Sequence, residues 1–212
     1  MKKSFLTFAI FMVLACFMCI ISCSPNDDDP PPPPPDTTLD ISTYFPMAEG
    51  DIWYYTDTLG FLTIKQVSGD TLINSESTKR IVVNITTTKE AWSKDSSAFY
   101  IHLLEGNVEF QPPLEIPFNI VDQPYNFGSK VIIYLSGNTF GDTTYGTLSF
   151  VEFDTMTVTA GLFDSVMTLY YDQTEPDDQY YEYYARNVGL IDNGFMQLDS
   201  AHVGGVWYRP TK

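Results

Sequence analysis

Lys79-Arg80-Ile81-Val82-Val83-Asn84-Ile85-Thr86-Thr87-Thr88 carries the pattern that decides the class of fold. Ile81, Val83 and Ile85 fall on one side; Arg80, Asn84 and Thr86 fall on the other. That period of two marks a strand with one face in a core. The surroundings repeat it. Residues 52–55 open a strand after the turn signal Gly50-Asp51, and residues 61–67 return from Gly60 as the second arm of a hairpin. Ser68-Gly69-Asp70 reads as a turn. Further strands are expected over residues 98–104, 108–110, 130–135, 163–171, 179–186, 195–198 and 206–209. Residues 147–160 read as one long strand or a bent pair, because Glu152 and Asp154 break the apolar pattern. Residues 111–124 contain Pro112, Pro113, Pro117 and Pro124 and are expected to form a loop or irregular edge.

The sum is about ten to twelve strands with little helix, an all-β, antiparallel, single-sheet domain. Composition agrees: 14 Tyr, 15 Phe and 3 Trp, with many Thr, Val and Ile, favour strands. The domain is expected over residues 40–212. At roughly 170 residues it is large enough to bury a core without disulfides or metal. No internal repeat is evident.

The first 39 residues read differently. Lys2-Lys3 precede an apolar run from Phe5 to Ile21, the form of a signal peptide over residues 1–22. An uncleaved membrane anchor is the rival reading. Ile20-Ile21-Ser22-Cys23 resembles the bacterial lipobox. That resemblance implies cleavage before Cys23 and acylation of Cys23. Several acyl chains hold a membrane far more firmly than one, at about 0.8 kcal/mol per buried CH₂. Val13-Leu14-Ala15-Cys16 meets the same pattern and makes Cys16 the alternative, although Cys23 alone is followed at once by polar residues. Asp27-Asp28-Asp29 resemble the acidic export signal of Bacteroidetes surface lipoproteins, which implies an outer-membrane, surface-exposed location. A solvated spacer is the other reading of the three acids. Pro30 to Pro35 form a stiff polyproline II stalk of roughly 19 Å within a linker over residues 23–39.

Charge narrows the partners. The chain carries 27 acidic and 11 basic residues, and loss of Lys2 and Lys3 with the leader leaves 9 basic. Nucleic acid is excluded as a partner, because phosphate binding needs clustered Lys and Arg. The expected partners are the membrane, through the lipid anchor, and an envelope protein or glycan; the domain is expected to be a monomer. All three cysteines, Cys16, Cys19 and Cys23, lie in or at the edge of the apolar run, so the folded part has no thiol chemistry.

Three blocks resemble exported bacterial lipoproteins of unknown function of the Bacteroidetes type. Tyr44-Phe45-Pro46-Met47-Ala48-Glu49-Gly50-Asp51-Ile52-Trp53-Tyr54-Tyr55 is similar to their Phe-Pro-Leu and Gly-Asn-x-Trp-x-Tyr opening. Thr159-Ala160-Gly161-Leu162-Phe163-Asp164-Ser165-Val166 is similar to a Pro-Ala-Gly-Thr-Phe-Asp segment, with Ala160 where Pro is usual. Tyr183-Tyr184-Ala185-Arg186-Asn187-Val188-Gly189-Leu190-Ile191 is similar to Tyr-Tyr-Ala-x-x-Val-Gly-Leu-Val. The resemblance extends distantly to LolA-like proteins, implying a curved half-barrel or barrel-like sheet with a concave face. It implies no enzyme activity.

Chemistry is sparse. His102 and His202 are the two histidines, with no His-x-x-x-His pair, and no cysteine lies in the folded part. No Gly-x-Ser-x-Gly elbow is present. No catalytic residue, metal or cofactor is expected. Glu152 and Asp154 would share a strand face, as would Glu182 and Tyr184, but a carboxylate pair for glycan chemistry is defined by its spacing in three dimensions. The acidic stretch 172–178 reads as a solvated turn rather than a Ca²⁺ site. Tyr180-Tyr181-Glu182-Tyr183-Tyr184 places Tyr180 and Tyr184 on one face with Glu182; with Trp53 they form a candidate aromatic ligand face, against plain cross-strand packing. Seven triplets beginning at Asp36, Asp57, Asp70, Asp142, Asp154, Asp164 and Asp199 resemble the Bacteroidetes O-glycosylation sequon. Their acceptors would be Thr37, Thr58, Thr71, Thr143, Thr155, Ser165 and Ser200. The sequence thus points to a lipid-anchored, non-enzymatic envelope protein that binds a ligand or partner, with a surface glycan-binding or glycan-processing lipoprotein as the alternative.

Overall fold

The computed structural model describes residues 39–83, 88–104, 108–135, 138–173 and 179–210. Asp40–Lys212 forms one compact unit. The leader, the lipobox, the aspartates, the stalk and Thr37 lie outside the described residues. Within them are thirteen strands and one short 3₁₀ turn, Ile41–Tyr44. The strands are β1 (Ile52–Asp57), β2 (Leu62–Ile73), β3 (Glu76–Val83), β4 (Thr88–Lys94), β5 (Ala98–Leu104), β6 (Val108–Pro117), β7 (Tyr125–Leu135), β8 (Asn138–Val158), β9 (Gly161–Gln173), β10 (Gln179–Ala185), β11 (Gly189–Asp192), β12 (Met196–Val203) and β13 (Val206–Tyr208). Each pairs with the next in sequence, and β1 also pairs with β12. Twelve strands therefore close a ring, and β13 extends β12. Closure removes sheet edges without a covering layer, which suits a chain with almost no helix.

Several expected features change form. Ser68-Gly69-Asp70 is a bulge inside β2 between Val67 and Asp70, not a turn. The turn lies at Asn74-Ser75, both with positive φ, the pattern of a two-residue hairpin loop. Residues 111–117, expected as a loop or irregular edge, continue β6. They pair with β5 from Leu114 to Pro117, whereas pairing with β7 ends at Gln111. The prolines sit where one side of the strand has no ladder to supply, so their missing N–H costs nothing. The long strand and the bent pair are both realised in β8, which runs for 21 residues through bulges at Phe150/Glu152 and Asp154/Met156. Gly146 lies where β8 pairs on both sides, and a Cβ there would stand 2.6 Å from Phe127 and 2.8 Å from the Asp172 carbonyl. Ile85 lies outside the described residues.

The segment before β1 seals one end of the ring. Tyr44 and Phe45 are buried, and Phe45 stacks on Phe99 with ring centroids 4.8 Å apart. Lys94 Nζ donates to the carbonyls of Ser42 and Phe45. Buried Asp51 accepts from the Ala48 and Gly204 N–H groups, tying the entry of β1 to the β12–β13 turn. All three sequence blocks meet here. The Tyr44 hydroxyl donates to the Ser165 carbonyl, the Trp53 indole to Val188 O at 2.5 Å, and the Tyr55 hydroxyl to Leu190 O at 3.0 Å. The Asn187 N–H donates to Thr43 O. Gly189, at φ 98°, lets its backbone lie against Pro46, whose Cδ would be 3.5 Å from a Cβ.

Candidate functional site

A cavity of about 290 Å³ lies inside the ring, just under the roughly 300–1,000 Å³ range of ligand pockets. Tyr44, Phe45 and Pro46 wall it on the sealed side, and Asn193, Phe195 and Met196 wall it on the other. In-facing positions of β1, β2, β4, β9 and β10 supply Trp53, Tyr55, Lys65, Glu90, Trp92, Tyr171, Tyr180, Glu182 and Tyr184. Cross-strand register explains the grouping. Trp53 is opposite Lys65, Tyr171 opposite Tyr180, and Ile81 carries the face across to Glu90.

Its charge is arranged unevenly. Lys65 Nζ lies 2.9 Å and 3.2 Å from the two carboxylate oxygens of Glu90, with both side chains largely removed from solvent. Lys65 also lies 5.8 Å from the Trp92 ring centroid. Glu182 takes a 2.6 Å hydrogen bond from the Tyr184 hydroxyl and another from Tyr171. It keeps some accessible surface, and it lines the cavity. Burial raises its carboxyl above the usual range, opposed by the Tyr184 and Tyr171 hydrogen bonds and by the Lys65 charge. The phenols of Tyr171 and Tyr184 are pushed well up, first by burial and then by Glu182, so both stay protonated donors. The Trp92 indole N–H is buried and finds no acceptor among the described residues.

The three residues of the candidate aromatic face, Trp53, Tyr180 and Tyr184, all line this cavity. Tyr180 stacks on Tyr171 at 4.7 Å, and Tyr184 meets Phe45 at 5.0 Å. Tyr181, from the opposite face of β10, is exposed. Lys65, Glu90 and Trp92 were not legible as site residues. Glu152 and Asp154 are exposed on β8. His102 is buried with Nε2 2.7 Å from Ser93 Oγ, and His202 packs on Trp207. No group of three or more metal-ligating side chains occurs among the described residues. Of the sequon acceptors, Thr58, Thr143, Thr155 and Ser165 are exposed, whereas Thr71 and Ser200 are half-buried in strands. Asp142 and Asp154 each bind the N–H of the following threonine, a local role for the aspartate. In the acidic stretch, Asp172 accepts from Gln179, and residues 174–178 lie outside the described residues.

No family model matches the chain, and no curated protein matches it. Two solved structures are similar in fold. One is a candidate lipoprotein from Parabacteroides distasonis, at 18% identity and a TM-score of 0.46, covering 78% of this chain and 94% of that one. The other is a candidate exported protein with YmcC-like fold from Bacteroides fragilis, at 15% identity and a TM-score of 0.44, covering 79% and 98%. Neither carries the LolA name.

Proposed function

We propose that this is a lipid-anchored envelope protein whose barrel binds a small ligand in its lumen without transforming it. The observation that carries the binding role is the aromatic cavity holding a buried carboxylate. A core built only for stability fills such space, and buried charge in it costs stability. The anchor rests on the Ile20-Ile21-Ser22-Cys23 lipobox, and the outer-membrane, outward-facing location on the aspartates beyond it. The exposed acceptors Thr58, Thr143, Thr155 and Ser165 would carry any O-linked sugar on the domain.

The test of the anchor is acyl labelling of wild type against Cys23→Ala. Loss of label supports Cys23, and persistence moves the anchor to Cys16. The test of the lumen is native mass spectrometry of the full chain taken from its own membrane. A non-covalent mass released by solvent is expected. An unliganded mass, with no thermal shift across a small-molecule panel, would remove the binding role.

A glycan role has one observation in its favour: Glu90 and Glu182 line the same aromatic cavity. Glu90 is engaged by Lys65, and the volume is small for an oligosaccharide. Thermal shift by oligosaccharides and none by compact apolar ligands would favour it.

A further inference from the structure

Three charged side chains line the cavity, and two of them neutralise each other. Lys65 spans both oxygens of Glu90. Glu182 is bound only by hydroxyls, from Tyr184 and Tyr171, and no ammonium or guanidinium lies within 4.0 Å of it among the described residues. A carboxylate held away from bulk water with no directly paired cation is costly unless something else supplies the charge; Lys65 acts on it only at longer range and is paired with Glu90. Tyr55, Tyr171 and Tyr184 act on it directly, and the rings of Tyr180, Phe45 and Trp53 line the same cavity. Aromatic faces attract cations, and more strongly where water is excluded. An anion entering this space would meet two carboxylates and one lysine already engaged. A neutral apolar molecule would leave Glu182 as it is.

We infer that the cavity takes a small organic cation, a protonated amine or quaternary ammonium on a compact apolar or aromatic body, with its charge at Glu182. The inference rests on the lumen-binding role and names the class of ligand. The raised carboxyl of Glu182 agrees with it, since a cation bound there would draw the proton off. The titratable groups facing Glu182 are Tyr171 on β9, Tyr180 and Tyr184 on β10, Tyr55 on β1, Lys65 on β2 and Glu90 on β4. Among these cavity groups Lys65 is the sole cation, and Glu90 already engages it.

The test is calorimetric titration of the full chain, in a non-ionic detergent, with three probes of similar shape. Benzyltrimethylammonium carries the charge, neopentylbenzene is its neutral carbon counterpart, and phenylacetate is the anion. The cation is expected to bind at least tenfold more tightly than the neutral probe, with no phenylacetate binding. Glu182→Gln keeps the size but trades one acceptor oxygen for an NH₂ donor and removes the charge; it should abolish the tenfold preference of the cation over neopentylbenzene, about 1.4 kcal/mol. Equal binding of cation and neutral probe would overturn the inference while the lumen role stands. Binding of phenylacetate in preference to the cation would overturn it too. Binding of none of the three, together with an unliganded native mass, would remove both. The wild-type comparison does not depend on how well the variant folds.

Discussion

The sealed end of the barrel and the lumen it closes are built by opposite rules. At the sealed end, three separated blocks of sequence meet through bonds from side chains to backbone carbonyls: Tyr44 to Ser165, Trp53 to Val188 and Tyr55 to Leu190. In the lumen, residues of β1, β2, β4, β5, β6, β9, β10, β11 and β12 line one space, and its charged groups pair side chain to side chain. A carbonyl acceptor is supplied by any residue held in the right place, so its neighbours in sequence must fix the local backbone. That is why the blocks are several residues long. A lumen wall needs only alternate positions, so it leaves no contiguous motif. The blocks therefore fix how the barrel is shut, and they also lend Tyr44, Phe45, Trp53, Tyr55 and Tyr184 to the cavity wall.

The largest way to break this contrast is at the sealed end. Trp53→Ala removes a ring that is 3% exposed and the N–H that reaches Val188. A loss of roughly 3–5 kcal/mol is expected, a large part of a total stability of about 5–15 kcal/mol. Urea unfolding would measure it. A loss under about 1 kcal/mol would mean that the blocks do not hold the closure.

Next in size is the lumen ion pair. Lys65→Met leaves Glu90, itself 2% exposed, without its counter-charge. The expected cost is about 3 kcal/mol, the low end for breaking a buried pair. Adding Glu90→Leu should recover most of it, because an apolar pair of similar volume avoids both desolvation penalties. A double variant no more stable than the single one would show that the pair shapes the lumen rather than merely neutralising it.

Glu182→Gln should act in the other direction. The folded protein holds this carboxyl above its unfolded value, so ionisation works against folding once the pH exceeds the folded value. Wild type should gain stability as the pH falls through that value towards the usual carboxylate range, and the variant should lack this rise. At neutral pH the variant should be the more stable of the two. Asp95 has the opposite sign. The N–H and hydroxyl of Ser97 and the N–H of Ala98 hold it at about 2. Its contribution is present above the usual carboxylate range and fades as the pH falls towards 2. Thermal melts of wild type and both single variants, Glu182→Gln and Asp95→Asn, from pH 7 to pH 2 would separate the two slopes. If Glu182→Gln melts with the wild-type slope above pH 4, Glu182 is not the group responsible.

The all-β class and the in-facing set on β10 could be read from alternation alone, because Tyr180, Glu182 and Tyr184 stand two apart in an unbroken register with β9. β4 could not. Its inward positions include Glu90 and Trp92, so the buried face begins with a charge and its period is hidden. The same holds for Lys65 on β2, whose inward position looks like surface until Glu90 is placed beside it. Alternation did not report closure; the half-barrel or barrel-like form was implied by the resemblance alone. Closure depends on β1 meeting β12, some 140 residues apart, through a register broken by a bulge at Tyr54/Tyr55. Periodicity reports which face is buried, but it cannot report which distant strand completes the ring or which buried charges find each other.

The smallest effect is expected at the lumen's other side, and it bears most directly on access. Leu59, Phe61 and Phe195 are exposed there, Phe195 to 69%, and the Thr58 N–H donates to the Phe195 carbonyl, joining the two loops through backbone. Phe195→Ser keeps that backbone bond and removes a ring that buries little, so stability should stay within about 0.5 kcal/mol of wild type. Phe195 nevertheless lines the cavity. The variant should therefore exchange benzyltrimethylammonium faster at nearly unchanged stability, which stopped-flow quenching of Trp53 and Trp92 fluorescence would follow. A stability loss comparable to that of Trp53→Ala would place Phe195 among the groups that hold the barrel together, and the two sides of the lumen would then obey one rule instead of two.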